Sequence, residues 1–202
     1  MAASGVIFDM VMAPLESSRF RRVRGDVVGR ANGDVLEVGA GTGATLPFYR
    51  WDSVASLTMV DLDLDTDRIG RRVRRLGLNG ETPEIVLVDK TSVEKLPFAD
   101  ESFDSVVFTL LFCSVDDPDA GAREIRRVLK PGGAAFFVEH VLSDNPALQT
   151  PMRRVTPAWR RMSGNCRLDR TTIDTFTRSG LTVTERPRLF AGVFASGTAR
   201  RR

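Results

Sequence analysis

Cysteine and histidine are nearly missing from this chain. Cys113 and Cys166 are the only cysteines, too few for a disulfide framework or a structural zinc site. His140 is the single histidine, and no metal centre is expected. Long apolar runs are missing as well. The longest, Val106 to Cys113, is broken by Thr109 and falls far short of a membrane span. Neither end reads as a secretory signal, which points to a cytoplasmic protein. No strong charge excess is present, with a formal net charge of +3. The arginines are not interleaved with aromatics or set in a reader motif, so nucleic acid is not an expected partner. What remains is ordinary for one folded domain: 202 residues, 42% apolar and 27% charged, enough for a substantial core.

The chain is organised around Val35-Leu36-Glu37-Val38-Gly39-Ala40-Gly41-Thr42-Gly43. A short apolar run bounded by glycines reads as a buried parallel strand. Glycines at 39, 41 and 43 let the backbone turn tightly and approach a ligand. A helix over 44–50 would then aim its unpaired N–H groups at that ligand. Gly39, Gly41 and Ala44 also fit a dinucleotide fingerprint, with Asp61 at the required distance. Glu37 discriminates: a carboxylate gains nothing beside a pyrophosphate but gains from a cation. S-adenosylmethionine (SAM) carries an ammonium and a sulfonium, so Glu37 points to SAM. A nicotinamide-binding oxidoreductase stays as the alternative, as does a binding module without turnover.

Taken in order, residues 1–30 read as a helix interrupted at Pro14. It is either packed on the sheet edge with its arginines in water or placed as a lid over the cofactor mouth. A second strand, Ser56 to Asp61, ends in a carboxylate able to accept from ribose hydroxyls. Asp61, Asp63, Asp65 and Asp67 read as a cation loop or a solvated helix start, and Arg68 to Leu78 as an amphipathic basic helix. Further strands are expected at Glu84–Asp89, Ser105–Leu110, Ala134–Glu139, Leu181–Arg186 and Gly192–Ser196. A helix over Asp116–Leu129 is expected to stop in a turn at Lys130-Pro131-Gly132-Gly133. Another helix should start at Thr171, and Arg200–Arg202 should be a disordered tail. Strands alternating with helices imply an α/β fold: a mostly parallel seven-stranded Rossmann-like sheet, helices on both faces and ligands at the strand ends.

VLEVGAGTG, VEKLPFADESFDSVVFTLLFCSV, REIRRVLKPGG and FFVEHV resemble, in order and spacing, the class I SAM-dependent methyltransferases. The likeness is to the small-molecule branch that includes quinone- and phospholipid-modifying enzymes. Pro157-Ala158-Trp159-Arg160 and Gly164-Asn165-Cys166-Arg167-Leu168-Asp169-Arg170-Thr171 look like the branch with the methyltransferase-like thiol S-methyltransferases. The resemblance covers about residues 5–195 and implies one domain over 1–202. It implies that Glu37, Gly39, Ala40, Gly41, Thr42 and Gly43 hold the methionine end of SAM and Asp61 the ribose. Leu62 would pack on the adenine, and Thr109 and Leu110 would line the sulfonium region. The acid expected against the adenine amino group is displaced: its position holds Ser92, followed by Val93, while Asp89 sits three residues early. All three are candidates.

His140, at a strand C-terminus, is the candidate general base, or a residue that only orients the strand and loop. Cys113 reads as core. Cys166 is either a buried anchor or a thiol activated by Arg160, Arg161, Arg167 and Arg170. Residues 144–170 form a basic, substrate-side insertion. Its arginines suit water, an acidic acceptor, or an anionic membrane beside which a lipophilic acceptor enters.

Overall fold

The computed structural model describes residues 19–78 and 83–202. Expectations for residues 1–18 lie outside them. Seven strands form one sheet in the order β3-β2-β1-β4-β5-β7-β6. These are β1 (Gly33–Val38), β2 (Val54–Val60), β3 (Glu84–Val88), β4 (Phe103–Thr109), β5 (Leu129–His140), β6 (Leu181–Glu185) and β7 (Phe194–Arg201). β1 to β5 pair in parallel, and β7 runs antiparallel between β5 and β6. The chain order reverses at β1, where β2 lies on one side and β4 on the other. That switch point is where an open α/β sheet has its ligand crevice.

Alternation along the central strands builds two cores. Val35, Met59, Val107, Phe136 and Val138 belong to one, packed under helix α1 (Arg19–Val28) and helix α2 (Thr66–Arg75). Leu36, Val38, Val106, Phe108 and Phe137 belong to the other, under helices α3 (Pro118–Val128) and α5 (Thr172–Arg178). Phe108, Phe112, Phe137 and Phe176 pack there with ring centroids 4.8–5.9 Å apart. Helix α4 (Pro146–Met162) buries only Thr156 and carries Pro151 and Pro157 inside it.

Five local expectations are corrected. The helix expected over 44–50 is two 3-10 turns, Leu46–Phe48 and Trp51–Ser53. Pro47 starts the first, and Tyr49 is already extended at φ −66°, ψ 140°, so no i→i−4 ladder propagates. Lys130–Gly133 do not leave the sheet. β5 begins at Leu129, opposite Phe103, and shifts register before Ser105–Ala134. Gly132 supplies a positive φ of 78° at that irregularity, a bulge where a plain turn was expected. The last strand begins at Phe194, not Gly192, and the final arginines are not a loose tail: β7 runs to Arg201. Arg201 Nη1 donates to the carbonyls of Arg126, Arg127 and Leu129, while its Nη2 meets Glu101 at 2.6 Å. Finally, not all the α1 arginines sit in water, because Arg24 is buried, with its guanidinium 4.9 Å from the Phe20 ring centroid.

Two sequence motifs are structural locks. Arg127 Nη1 donates to the Phe98 carbonyl at 2.7 Å and Asp100 at 2.8 Å, and its Nη2 to the Leu96 carbonyl at 3.1 Å. Glu124 closes the set, accepting from Leu96 N and from Arg127 Nε at 2.8 and 2.7 Å. The 96–100 loop is thereby fastened to α3. Lys130 Nζ bridges Asp34 and Asp104 at 3.1 and 2.8 Å, tying the N-terminal edges of β1, β4 and β5 together.

Candidate functional site

The glycine turn leaves β1 over the C-terminal end of β2. Gly39 and Ala40 both donate to the Val60 carbonyl, at 2.9 and 3.2 Å. Gly39, Gly41 and Gly43 have φ of 74°, 48° and 70°, a region costly for residues with a Cβ. A Cβ on Gly39 would also stand 2.9 Å from Leu111 Cδ1. Asp61 fastens the turn: its Oδ2 accepts from Gly41 N at 2.9 Å and its Oδ1 from Asp63 N at 3.0 Å. Burial pushes the Asp61 carboxyl above the usual carboxylate range, opposed by these backbone bonds. Thr42 is buried.

Glu37 lies beneath the turn, 2% exposed. Burial pushes its carboxyl up to about 7, against hydrogen bonds from Thr45 and Tyr49 and the charge of Arg24. Tyr49 Oη donates to Glu37 Oε2 at 2.9 Å, and Thr45 Oγ1 donates to Oε1. Each carboxylate oxygen has two lone pairs, so neither bond exhausts its acceptor capacity.

The loops after β2 and β3 meet: Thr91 N donates to the Asp61 carbonyl at 2.9 Å. Leu62 is 62% exposed beside them, an apolar platform at the corner. The three adenine-side candidates differ. Asp89 Oδ1 accepts from Leu64 N at 2.9 Å and its Oδ2 lies 3.2 Å from Lys90 Nζ. Backbone bonds from Leu64 and Lys90 hold its carboxyl low. Ser92 Oγ accepts from Glu94 N at 3.2 Å, opening a turn. Val93 is buried in the α3-side core, where its side chain meets Gly121, which leaves only its backbone for a ligand.

On the far side of the switch point, Thr109 ends β4 and Leu110 takes a left-handed φ of 58°, its N–H donating to the Val138 carbonyl at 2.8 Å. Glu139 governs this loop. It is fully buried and accepts from Leu111 N and Phe112 N at 2.9 and 3.0 Å. Burial pushes its carboxyl up to about 8, against those backbone donors. In the sequence Glu139 stands only as the last residue of the expected strand Ala134–Glu139. A carboxylate inside an apolar strand was the signal available.

His140 follows, edge-on to Phe194 with ring centroids 5.3 Å apart. Beside it lie both cysteines, each buried, brought together across 53 residues of sequence. Each shapes the other: Cys166, with burial, pushes the Cys113 thiol up, while Cys113, then His140 and Trp159, pull the Cys166 thiol down. Arg167 N donates to the Cys113 carbonyl at 2.7 Å, and Asn165 Nδ2 to the Ser114 carbonyl at 2.8 Å. The 163–170 segment is thus pinned as a cap over the loop after β4. The glycine corner, Asp61 and Leu62 form one cluster, with Glu37 below it. His140, Cys113, Cys166 and Trp159 form a second, across the sheet switch point. Their joint cysteine–histidine contact had no sequence signal, since it depends on how the cap folds back. Among the described residues, no His, Cys, Asp or Glu group is arranged to hold a metal ion.

A family model described as "Methyltransferase domain" matches residues 36–137. Thiol S-methyltransferase TMT1B of Rattus norvegicus is 30% identical over 177 residues, 82% of this chain and 71% of that protein. Phosphatidylethanolamine N-methyltransferase of Cereibacter sphaeroides is 30% identical over 142 residues, 70% of this chain and 67% of that protein. The chain spans about two thirds of the length of the curated relatives it matches. In fold it is similar to an O-methyltransferase family protein from Burkholderia thailandensis, at 19% identity and a TM-score of 0.72, covering 98% of this chain and 59% of that one.

Proposed function

The chain belongs to the class I SAM-dependent methyltransferases, and we propose that it moves the methyl group to a small, lipophilic acceptor, a thiol, a quinol or a phospholipid amine. The supporting observation is the 163–170 cap pinned over the loop after β4, which sets Cys166 beside His140 at the end of β5. The relatives' names agree with that range: one acts on a thiol, another on phosphatidylethanolamine.

Bound SAM supplies an electrophilic methyl group on a sulfonium. The corner fits such a ligand: a turn that tolerates no Cβ at Gly39, a buried carboxyl poised near neutrality, and an exposed Leu62. Gly39, Ala40, Gly41, Thr42 and Gly43 would present backbone to the amino-acid end, with the Glu37 charge beneath. Asp61 would accept from the ribose hydroxyls, and Leu62 would cover one adenine face. Asp89, Ser92 or the Val93 backbone would meet its rim. Thr109 and Leu110 would bound the reacting side. Fixing the acceptor in line there is worth about 7 kcal/mol or more of barrier. His140 would take the acceptor's proton, or hold it at Nδ1, which is buried and has no hydrogen-bond partner among the described residues.

Methyl transfer from labelled SAM to an alkyl thiol, a quinol and a lipid amine tests this assignment. Turnover with one class and not the others is the expected result, and none with any would contradict it. For a thiol or quinol, His140→Ala should lower turnover about 10²-fold or more near pH 7. An unchanged pH–rate profile would return His140 to a structural role.

Helix α4 also has the surface of a membrane-docking element in a cytoplasmic enzyme. Val155 and Met162 are 50% and 79% exposed, among the exposed arginines 153, 154 and 161. No helix among the described residues is long and apolar enough to cross a membrane. Co-sedimentation with anionic but not neutral vesicles is the expected behaviour.

A further inference from the structure

Among the described residues, eight buried side-chain polar atoms have no hydrogen-bond partner, and five of them fall within residues 140–172. Folded proteins pair such atoms, so a concentration of them marks a place completed by something else. His140 Nδ1 and Trp159 Nε1 belong to side chains that lie against Cys166. Arg167 Nε, Arg170 Nε and Thr172 Oγ1 remain. Thr172 is 2% exposed.

Arg170 and Thr172 line a cavity of about 260 Å³, between the loop that follows β5 and the start of α5. Leu142 and Ile173 give it an apolar side, Ser143 and Gln149 a polar one. Arg188 is there too but is satisfied, with Glu185 at 3.1 Å, Asp144 at 3.9 Å and the Leu142 carbonyl. The third acid on the wall, Asp174, is exposed in the first turn of α5. Among the described residues Arg170 has no ion pair: one Nη donates to the Val115 carbonyl, and no carboxylate meets its guanidinium. Burial and the like charge of Arg167 both press its pKa down. Asp169 opposes that push only at a distance, and a half-buried guanidinium beside another arginine, with no carboxylate in ion-pair contact, is the arrangement an anion relieves.

We propose that this cavity binds the oxyanionic group, a carboxylate or a phosphate monoester, of an amphiphilic methyl acceptor. Its role as an acceptor subsite rests on the methyltransferase reading above. The volume lies below the ~300–1,000 Å³ of whole-ligand pockets, which suits a head group whose chain extends elsewhere. Arg170 and Thr172 are the wall residues that keep an unpartnered donor atom, at Nε and Oγ1. The cap is anchored on the loop after β4 by Asn165 and on the loop after β5 by the Leu142 N–H donating to the Arg170 carbonyl at 2.8 Å. The head-group site therefore lies beside the strand ends where the methyl group is delivered.

The test uses the full chain saturated with S-adenosylhomocysteine (SAH), at constant ionic strength. Octyl phosphate, octanoate, octanol and inorganic phosphate are titrated against wild type, Arg170→Gln, Thr172→Val and, as a surface control, Arg123→Gln. Octyl phosphate or octanoate should bind at least tenfold more tightly than octanol. That preference should vanish in Arg170→Gln, weaken in Thr172→Val and persist in Arg123→Gln. Inorganic phosphate binding as tightly as octyl phosphate would overturn the amphiphile. No preference over octanol, or one unchanged in both cavity variants, would overturn the site. If Arg170→Gln does not fold, Thr172→Val carries the decision. SAH affinity, read in the same samples, should be the same in all four proteins. A wild type that does not bind SAH would contradict the methyltransferase reading and not the anion site.

Discussion

Glu37 ties the chemistry of the cofactor corner to pH. Its carboxyl is pushed up to about 7 by burial, and a cationic ligand favours the ionised form. SAM affinity should therefore fall as pH drops through about 7, approaching ~tenfold per pH unit below it. Glu37→Gln keeps the size and the acceptor for Tyr49 and should flatten that dependence. Glu37→Ala is a poorer probe, because it leaves Thr45, Tyr49 and Arg24 around a cavity. Calorimetry between pH 5.5 and 8 decides, and a wild-type affinity flat across that range would contradict the role of Glu37. The same burial shapes stability. Glu37 and Glu139 hold protons in the folded state up to about 7 and about 8, whereas an unfolded glutamate releases its proton near its ordinary value of 4.5. The folded state binds more protons across that window, so stability should fall as pH rises from about 4.5 to 8. Glu37 alone would contribute on the order of 3 kcal/mol to this loss. A urea midpoint higher at pH 8 than at pH 5 would refute it. Glu37 and Asp61 were legible in the sequence as carboxylates on strands, Glu37 just before the glycines and Asp61 closing the second strand. Glu139, Thr45 and Tyr49 were not, since their roles arise from contacts that spacing alone does not encode.

At the scale of elements, Arg127 does most to fasten the 96–100 loop to α3. Arg127→Met should cost about 2–3 kcal/mol of stability, because charged hydrogen bonds to two carbonyls and two carboxylates are lost together. Chemical denaturation measures it, and a change under 0.5 kcal/mol would show that water replaces those contacts. The Leu96–Asp104 and Arg127–Gly133 motifs were visible as patterns, yet their purpose was not, because it is a contact between two elements. Elements with strong periodicity or flanking breakers were placed correctly. The 3-10 turns after the glycine corner were not, since Pro47 and the extended Tyr49 override a helix-start pattern. Nor was the β5 bulge, where Lys-Pro-Gly-Gly reads as a stop although the sheet simply absorbs it. Arg201, expected in a disordered tail, is held by carbonyls of a neighbouring helix end.

At the scale of the whole molecule, a parallel sheet reversing at β1 puts the glycine turn, Asp61 and Leu62 on one side of a crevice. His140, the cysteine pair and the cap stand on the other. Alternating strands and helices foretold that sheet. The juxtaposition of the 163–170 cap with the loop after β4 needed the three-dimensional fold. The proposed place of SAM is the corner beside Asp61. Calorimetric titration of wild type and Asp61→Ala with SAH, with NADH as the competitor ligand, tests it most directly. Micromolar SAH binding, weakened at least tenfold in a folded Asp61→Ala and without NADH binding, is the predicted result. NADH binding without SAH, or SAH affinity indifferent to Asp61, would contradict it.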